Sequence, residues 1–323
     1  MRGMVVAIVV LILAHWAYAQ DSGTGRPAKP ERSFTFFLYR SVDHGASWTM
    51  VGEGLPQSVR INALAIASGV SFAGTDAGIY LSSDGGRSWS ASAITPSPRV
   101  RCLAVDGRRV YAGTLGHGVL VTEDGGRTWE RAAHGLDDGD VRSLAIRNAS
   151  LYAGTDSQGV FALPKGGREW LPFGRGLPEH SQVFDLAVKG RQLYAALYSK
   201  GLYRIDADGD RWQEVKGVIP LEFLVKGEAL IAGHNPGGIY QSTDDGATWS
   251  HAEGLPGAPP IWVLGEAGPN LIAGTTPGAV VRSSNQGATW TPSATGLPPK
   301  AAVLAVGDGE DGTLAAIVLS NGG

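Results

Sequence analysis

From Phe34 onward the chain alternates short apolar runs with turns rich in Gly, Asp and Ser, and no stretch carries the spacing of an amphipathic helix. Residues 100–132 contain one complete unit of this pattern. Val100–Val105, Arg109–Thr114, Gly118–Thr122 and Thr128–Ala132 are runs of β-forming residues bounded by Gly-rich turns, and they predict four consecutive short strands. The second run contains Tyr111-Ala-Gly-Thr114, which recurs at 152–155, with relatives Phe72-Ala-Gly-Thr75 and Ile272-Ala-Gly-Thr275. Residues as small as Ala and Gly let neighbouring sheets approach closely near a crowded axis.

The pattern is periodic. Trp48, Trp89, Trp129, Trp170, Trp212, Trp249 and Trp290 are separated by 41, 40, 41, 42, 37 and 41 residues. A period near 40 that fills almost the whole chain is the mark of a repeat architecture. Each Trp closes a short motif, as in Ser82-Ser-Asp84-Gly-Gly86-Arg-Ser88-Trp89 and Thr122-Glu-Asp124-Gly-Gly126-Arg-Thr128-Trp129. The same text surrounds Asp43 and Trp48, and again Asp244 and Trp249. Asn285 replaces the Asp before Trp290. Two copies have drifted: Lys165 stands where the Asp belongs before Trp170, and Asp206-Ala-Asp208-Gly-Asp210-Arg-Trp212 has lost the register.

The motif S/T-x-D-x-G-x-S/T-W resembles the Asp-box (BNR) repeat of β-propellers, and the resemblance covers residues 34–323. It implies a turn between two strands, with a carboxylate accepting turn N–H groups, Gly at a positive-φ position and the Trp ring capping the hairpin. Repeated at one structural position, Asp43, Asp84, Asp124, Asp244 and Asn285 are expected to be structural and not catalytic.

The chain ends predict how the ring closes. Only one strand, Phe34–Tyr39, precedes the first motif, and two, Ala302–Val306 and Thr313–Val318, follow the last. Joined, they complete one blade. The expected fold is all-β: a seven-bladed β-propeller of four-stranded antiparallel blades, closed by pairing of N- and C-terminal strands and free of long unpaired edges.

Composition adds a destination. Arg2, the apolar run Met4–Leu13 and Ala17-Tyr18-Ala19 read as an export signal over residues 1–19, too short an apolar run for a permanent membrane anchor. Residues 20–33 read as a polar Pro/Gly linker and 34–323 as the ring. Taking Arg2 from the 27 basic residues leaves 26 against 30 acidic ones, a charge of −4, with no basic face that would suit nucleic acid. The single cysteine, Cys102, excludes an intrachain disulfide and reads as a buried apolar residue. A monomer in the periplasm or outside the cell is expected.

Candidate chemistry lies on the face that gathers the loops around the axis, where residues break the repeat. Arg60, Arg99, Arg101 and Arg142 precede or open the first strand of consecutive repeats, with Asp137, Asp138 and Asp140 nearby. Tyr198 and Trp262 stand outside the repeated aromatic positions. Arg60, Arg101 and Arg142 are the candidate binding residues, and guanidinium forks suit a carboxylate- or phosphate-bearing partner. Tyr198 and Trp262, expected from blades across the ring, would add stacking area. Arginines at a strand entrance also serve by pairing with local carboxylates. His117, His134, His180 and His234 lack metal-ligand spacing, and Asp206-Ala-Asp208-Gly-Asp210 lacks the Gly and distal Glu of a helix–loop–helix calcium loop. Neither metal nor cofactor is expected.

Three groups of Asp-box propellers bear on function. Sialidases combine an arginine triad with acidic groups on six blades, but here Arg60 is followed by Ile61-Asn62 instead of Ile-Pro. Xyloglucan-processing glycosidases place an Asp from each of two rings across a cleft. A single exported ring is most similar to the assembly-factor group related to photosystem-II biogenesis, which implies a non-catalytic module that binds a protein client through one face. The alternative is a glycan-active or glycan-binding propeller. Glycoside hydrolysis would need two carboxylates, with Asp76, Asp156 and Glu222 as candidates.

Overall fold

Seven antiparallel sheets radiate around one axis in this computed structural model, which describes residues 6–7, 33–94, 97–136, 139–234, 237–275, 278–299 and 301–321. Each blade has four strands, in sequential order in six of the seven, as in Val141–Arg147, Ser150–Thr155, Val160–Leu163 and Leu171–Pro172. The first strands are Ile61–Ala67, Val100–Asp106, Val141–Arg147, Val183–Lys189, Pro220–Lys226, Ile261–Ala267 and Ala302–Gly309, and they contact one another in a closed circuit about the axis. Burial falls from axis to rim: Val141–Arg147 is buried throughout, whereas Leu171–Pro172 is exposed. This is a seven-bladed β-propeller, as the repeat predicted. No helix among the described residues is long and apolar enough to cross a membrane.

The seventh blade is built from both ends of the chain. Its order is Ala302–Gly309, Gly312–Asn321, Ser33–Ser41, Thr49–Val51. The seam runs the full length of the nine-residue strand, from Ser33 opposite Asn321 to Ser41 opposite Thr313, with Leu38 opposite Ala316 in the core. The expected export signal and the linker lie outside the described residues except for Ser33 and for Val6–Ala7, a two-residue strand paired with Ala104 and Leu103 on the axial edge of Val100–Asp106.

Close packing between blades accounts for the small residues of the second strands. A Cβ on Gly154 would sit 2.6 Å from Val183 of the next blade, and one on Gly274 2.8 Å from Val303. The Thr that follows turns inward and closes the next loop: Thr75, Thr114 and Thr155 donate to the carbonyls of Gly78, Gly118 and Gly159.

The Trp-terminated turns use their carboxylates internally. Asp84 Oδ1 accepts the N–H groups of Arg87 and Ser88, its Oδ2 accepts the Ser88 hydroxyl, and Ser82 donates to Oδ1 while accepting from Gly86 N. Asp43, Asp124 and Asp244 have equivalent partners in Ser47, Thr128 and Thr248. Asn285 keeps the arrangement because its amide nitrogen donates to Thr289. These bonds hold the carboxyls below the usual range, to about 2 for Asp43 and Asp244.

The Trp does more than cap its own hairpin. In several copies its backbone N–H crosses to the preceding blade, as from Trp89 to Glu53 O and Trp290 to Glu253 O, and Trp212 Nε1 reaches Phe173 O. Trp170 and Trp212 keep these cross-blade bonds although their turns have lost the carboxylate pattern.

Candidate functional site

The first strand of every blade carries a β-bulge near its entrance, seen as a register shift at Ile61/Ala63, Val100/Cys102, Val141/Ser143, Val183/Asp185, Pro220/Glu222, Ile261/Val263 and Val303/Ala305. A bulge leaves one residue outside the ladder and re-aims its side chain, and bulges concentrate at functional rims. The seven residues so freed are Asn62, Arg101, Arg142, Phe184, Leu221, Trp262 and Leu304. They form a ring at equivalent positions, polar on one arc and apolar on the other. Three of them, Arg101, Arg142 and Trp262, are sequence-predicted site residues.

On the polar arc the charges interlock. Arg142 Nε pairs with Asp156, and its guanidinium lies 4.8 Å from the Phe184 ring centroid. Arg99 Nε is 3.3 Å from Asp76, which also accepts from Asn62 at 2.7 Å. Arg60, immediately before Ile61, lies in the fields of Asp76 and Arg99. Arg101 is 6% exposed, and its Nε and Nη1 are buried without an acceptor among the described residues. Burial, and after it the charge of Arg142, pulls its pKa below the usual value, while Asp156 and Asp140 act the other way. Asp137 and Asp138 lie outside the described residues.

The aromatic candidates separate. Tyr198 is 43% exposed and meets Phe184 edge to face at 5.0 Å, so it extends the Arg142 arc instead of facing it from across the ring. Trp262 packs, partly buried, between its own blade and the closing blade. Arg101 thus lies between Arg142 and Arg99, with Arg60 on the far side of Arg99, Tyr198 beside the Arg142 arc and Trp262 apart.

Glu222 is not a loop-face acid. It lies within a first strand directly after the bulge, 3% exposed, where Gly233 and the next blade enclose it. Asp185, at the same position one blade earlier, escaped the sequence reading. Its signal was an acid in the centre of an apolar run, Val183-Phe-Asp185-Leu-Ala-Val188. The histidines remain scattered: His117 Nδ1 lies 3.1 Å from Leu115 O, and the His234 ring lies tilted against Tyr240 at 5.0 Å. No group of three or more metal-ligating side chains occurs among the described residues. Asp206, Asp208 and Asp210 are engaged with Gln192, Arg191 and Arg175. Cys102 is buried and its thiol pKa raised by burial.

Fold and axial ring together define a β-propeller with a charged and aromatic mouth. No protein-family profile matches the chain, and no curated protein does. Its likeness is to solved propellers. YCF48 bound to a D1 peptide superposes with TM-score 0.62 at 15% identity, over 90% of this chain and 98% of that one. The extracellular domain of a hybrid two-component system from B. thetaiotaomicron gives 0.63 at 16%, over 82% and 39%. An ancestral GH74 enzyme gives 0.58 at 17%, over 79% and 40%. The chain spans about two fifths of the length of the latter two. At these identities the likeness defines the fold.

Proposed function

We propose that this chain is an exported Asp-box propeller without chemistry of its own, which binds an acidic segment of a client protein at the axial mouth. The observation that carries the reading is Arg101: a guanidinium with two buried nitrogens lacking acceptors among the described residues, beside Arg142. An unsatisfied buried donor is costly, and a carboxylate that accepts from it recovers that cost. Tyr198 and Phe184 offer adjoining aromatic area for an apolar side chain of the same segment. YCF48 with its D1 peptide supports a peptide as the class of partner. The extracellular domain of the two-component system and the leader-like sequence of residues 1–19 support export.

Glycoside hydrolysis draws less support. Asp156 is spent on Arg142 and Asp76 on Arg99 and Asn62, while Glu222 is enclosed where no sugar reaches it.

The test is a peptide array of acidic sequences and their amide-neutralised counterparts, probed with the mature protein and with Arg101→Ala and Arg142→Ala. Binding should favour the acidic members, weaken with salt over a Debye length of roughly 10 to 3 Å, and fall in both variants. Equal retention of acidic and neutral peptides, or binding unchanged in Arg101→Ala, would refute the assignment.

A further inference from the structure

Two acids in the axial wall take no part in the arginine arc. Asp185 and Glu222 each follow the bulge residue of consecutive blades and are 2% and 3% exposed. Each faces the next first strand across a seam: Asp185 Oδ2 accepts Phe223 N at 3.1 Å, and the Leu264 backbone N–H acts on Glu222, opposing the effect of burial. The same position elsewhere holds Ala63, Cys102, Ser143, Val263 and Ala305, none of them charged at neutral pH.

Among the described residues the surroundings supply no counter-charge. On the acids' own strands, Lys189 pairs with Asp245 and Glu228, and Lys226 with Glu266. On the preceding blade Arg142 is held by Asp156. The following first strand, Ile261–Ala267, presents Val263 at this level and Glu266 at its far end. The second strands bring apolar residues and Gly233, with His234 at the edge tilted against Tyr240. The charge that bears on Glu222 is that of Asp185, which also reaches the Cys102 thiol. Glu222 Oε2 has no partner among the described residues. Ionised carboxylates so enclosed are strongly disfavoured, and a buried acid keeps its proton instead.

We propose that Asp185 and Glu222 form a proton-operated latch joining the blades of Trp212, Trp249 and Trp290. Neutral, the two carboxyls bond the neighbouring strands and the seams stay shut. Ionised, they draw water into the seams and loosen the apolar arc that carries Phe184, Leu221 and Trp262. Burial lifts Asp185 to about 8 and Glu222 well above its usual value. Because the folded-state pKa exceeds the unfolded one, the stabilisation is complete below the ordinary carboxylate range. It is lost as pH rises through that range to about 8. The latch rests on burial and seam geometry and is independent of the arginine reading.

Hydrogen exchange on the full mature chain, corrected for intrinsic rates, tests it at about pH 6 and about pH 9. Wild type should lose tenfold or more protection at Phe223 and Leu264 at the higher pH, with the seams lacking an acid unchanged. Glu222→Gln should remove the loss at Leu264, and Asp185→Asn the loss at Phe223. A loss spread evenly over all seams, or one that persists at Leu264 in Glu222→Gln, overturns the proposal. Should Asp185→Asn fail to fold, infrared spectra of the wild type and Glu222→Gln decide. A protonated carboxyl band at about pH 6 that loses its Glu222 component in Glu222→Gln and keeps that of Asp185 supports the latch, and its absence from wild type overturns it.

Discussion

Trp290→Ala removes the most enclosed of the repeated tryptophans. The ring is 1% exposed and packs with Ile231, Ile239, Leu255, Leu271 and Val281 between two blades, while its Nε1 donates to Gly287 O at 2.9 Å. A Trp buries about 150–250 Å², which at about 25 cal/mol per Å² corresponds to about 4–6 kcal/mol. Measured truncations of buried aromatics fall at about 3–5 kcal/mol, and we expect a loss in that range. The backbone bond from Trp290 N to Glu253 O survives the substitution, so the loss reports the side chain alone. Trp129 provides the control. It is only partly buried, edge-on to Phe72 with Nε1 on the Ser92 hydroxyl, and Trp129→Ala should cost roughly half as much. Urea unfolding followed by circular dichroism measures both. A Trp290→Ala loss under about 1 kcal/mol, or one smaller than that of Trp129→Ala, would refute the seam role of the motif.

Deleting residues 301–323 should expose Leu38 and its neighbours on Ser33–Ser41 and cause aggregation or loss of cooperative unfolding; a soluble product with an unchanged melting temperature contradicts ring closure. Acid should weaken the turns: Asp43 and Asp244, held at about 2, contribute stability above the ordinary carboxylate range that disappears as pH falls toward 2. Replacing Asp43, Asp84, Asp124 and Asp244 with Asn should flatten that acid limb, and an unaltered acid midpoint would count against it. Secreted protein should begin at Gln20, and an intact mass that retains residues 1–19 would exclude cleavage there.

The strands were legible because their signals are local. The repeat around Trp129 predicted Arg109–Thr114, which is the observed strand, and Val100–Val105, which continues one residue to Asp106. Seven copies averaged out the ambiguity of any one. The site was less legible because its geometry is relational. A bulge at Arg101 exists only with respect to its partner strand, so sequence could mark Arg101, Arg142 and Trp262 as pattern breakers but not as members of one ring. Glu222 looked like a loop acid because the strand begins at Pro220, two residues earlier, and a proline before an acid reads as a turn. The tryptophans misled differently: their hairpins are local, while their bonds to the preceding blade are not.

The closing blade also constrains how the protein is made. Ser33–Ser41 is synthesised before the six blades between Ile61 and Pro292, yet its inner neighbour, Gly312–Asn321, follows all of them. Throughout translation and any passage across a membrane, the early strand carries an open edge beside Phe36, Phe37 and Leu38. Long-range pairing of this kind is slow and exposed to aggregation. A holdase that masks extended apolar segments would therefore act on the N-terminal strand first and release it last. Stalled synthesis would leave a chain with six complete blades and an unfilled place in the ring, recognisable to a protease by that single edge.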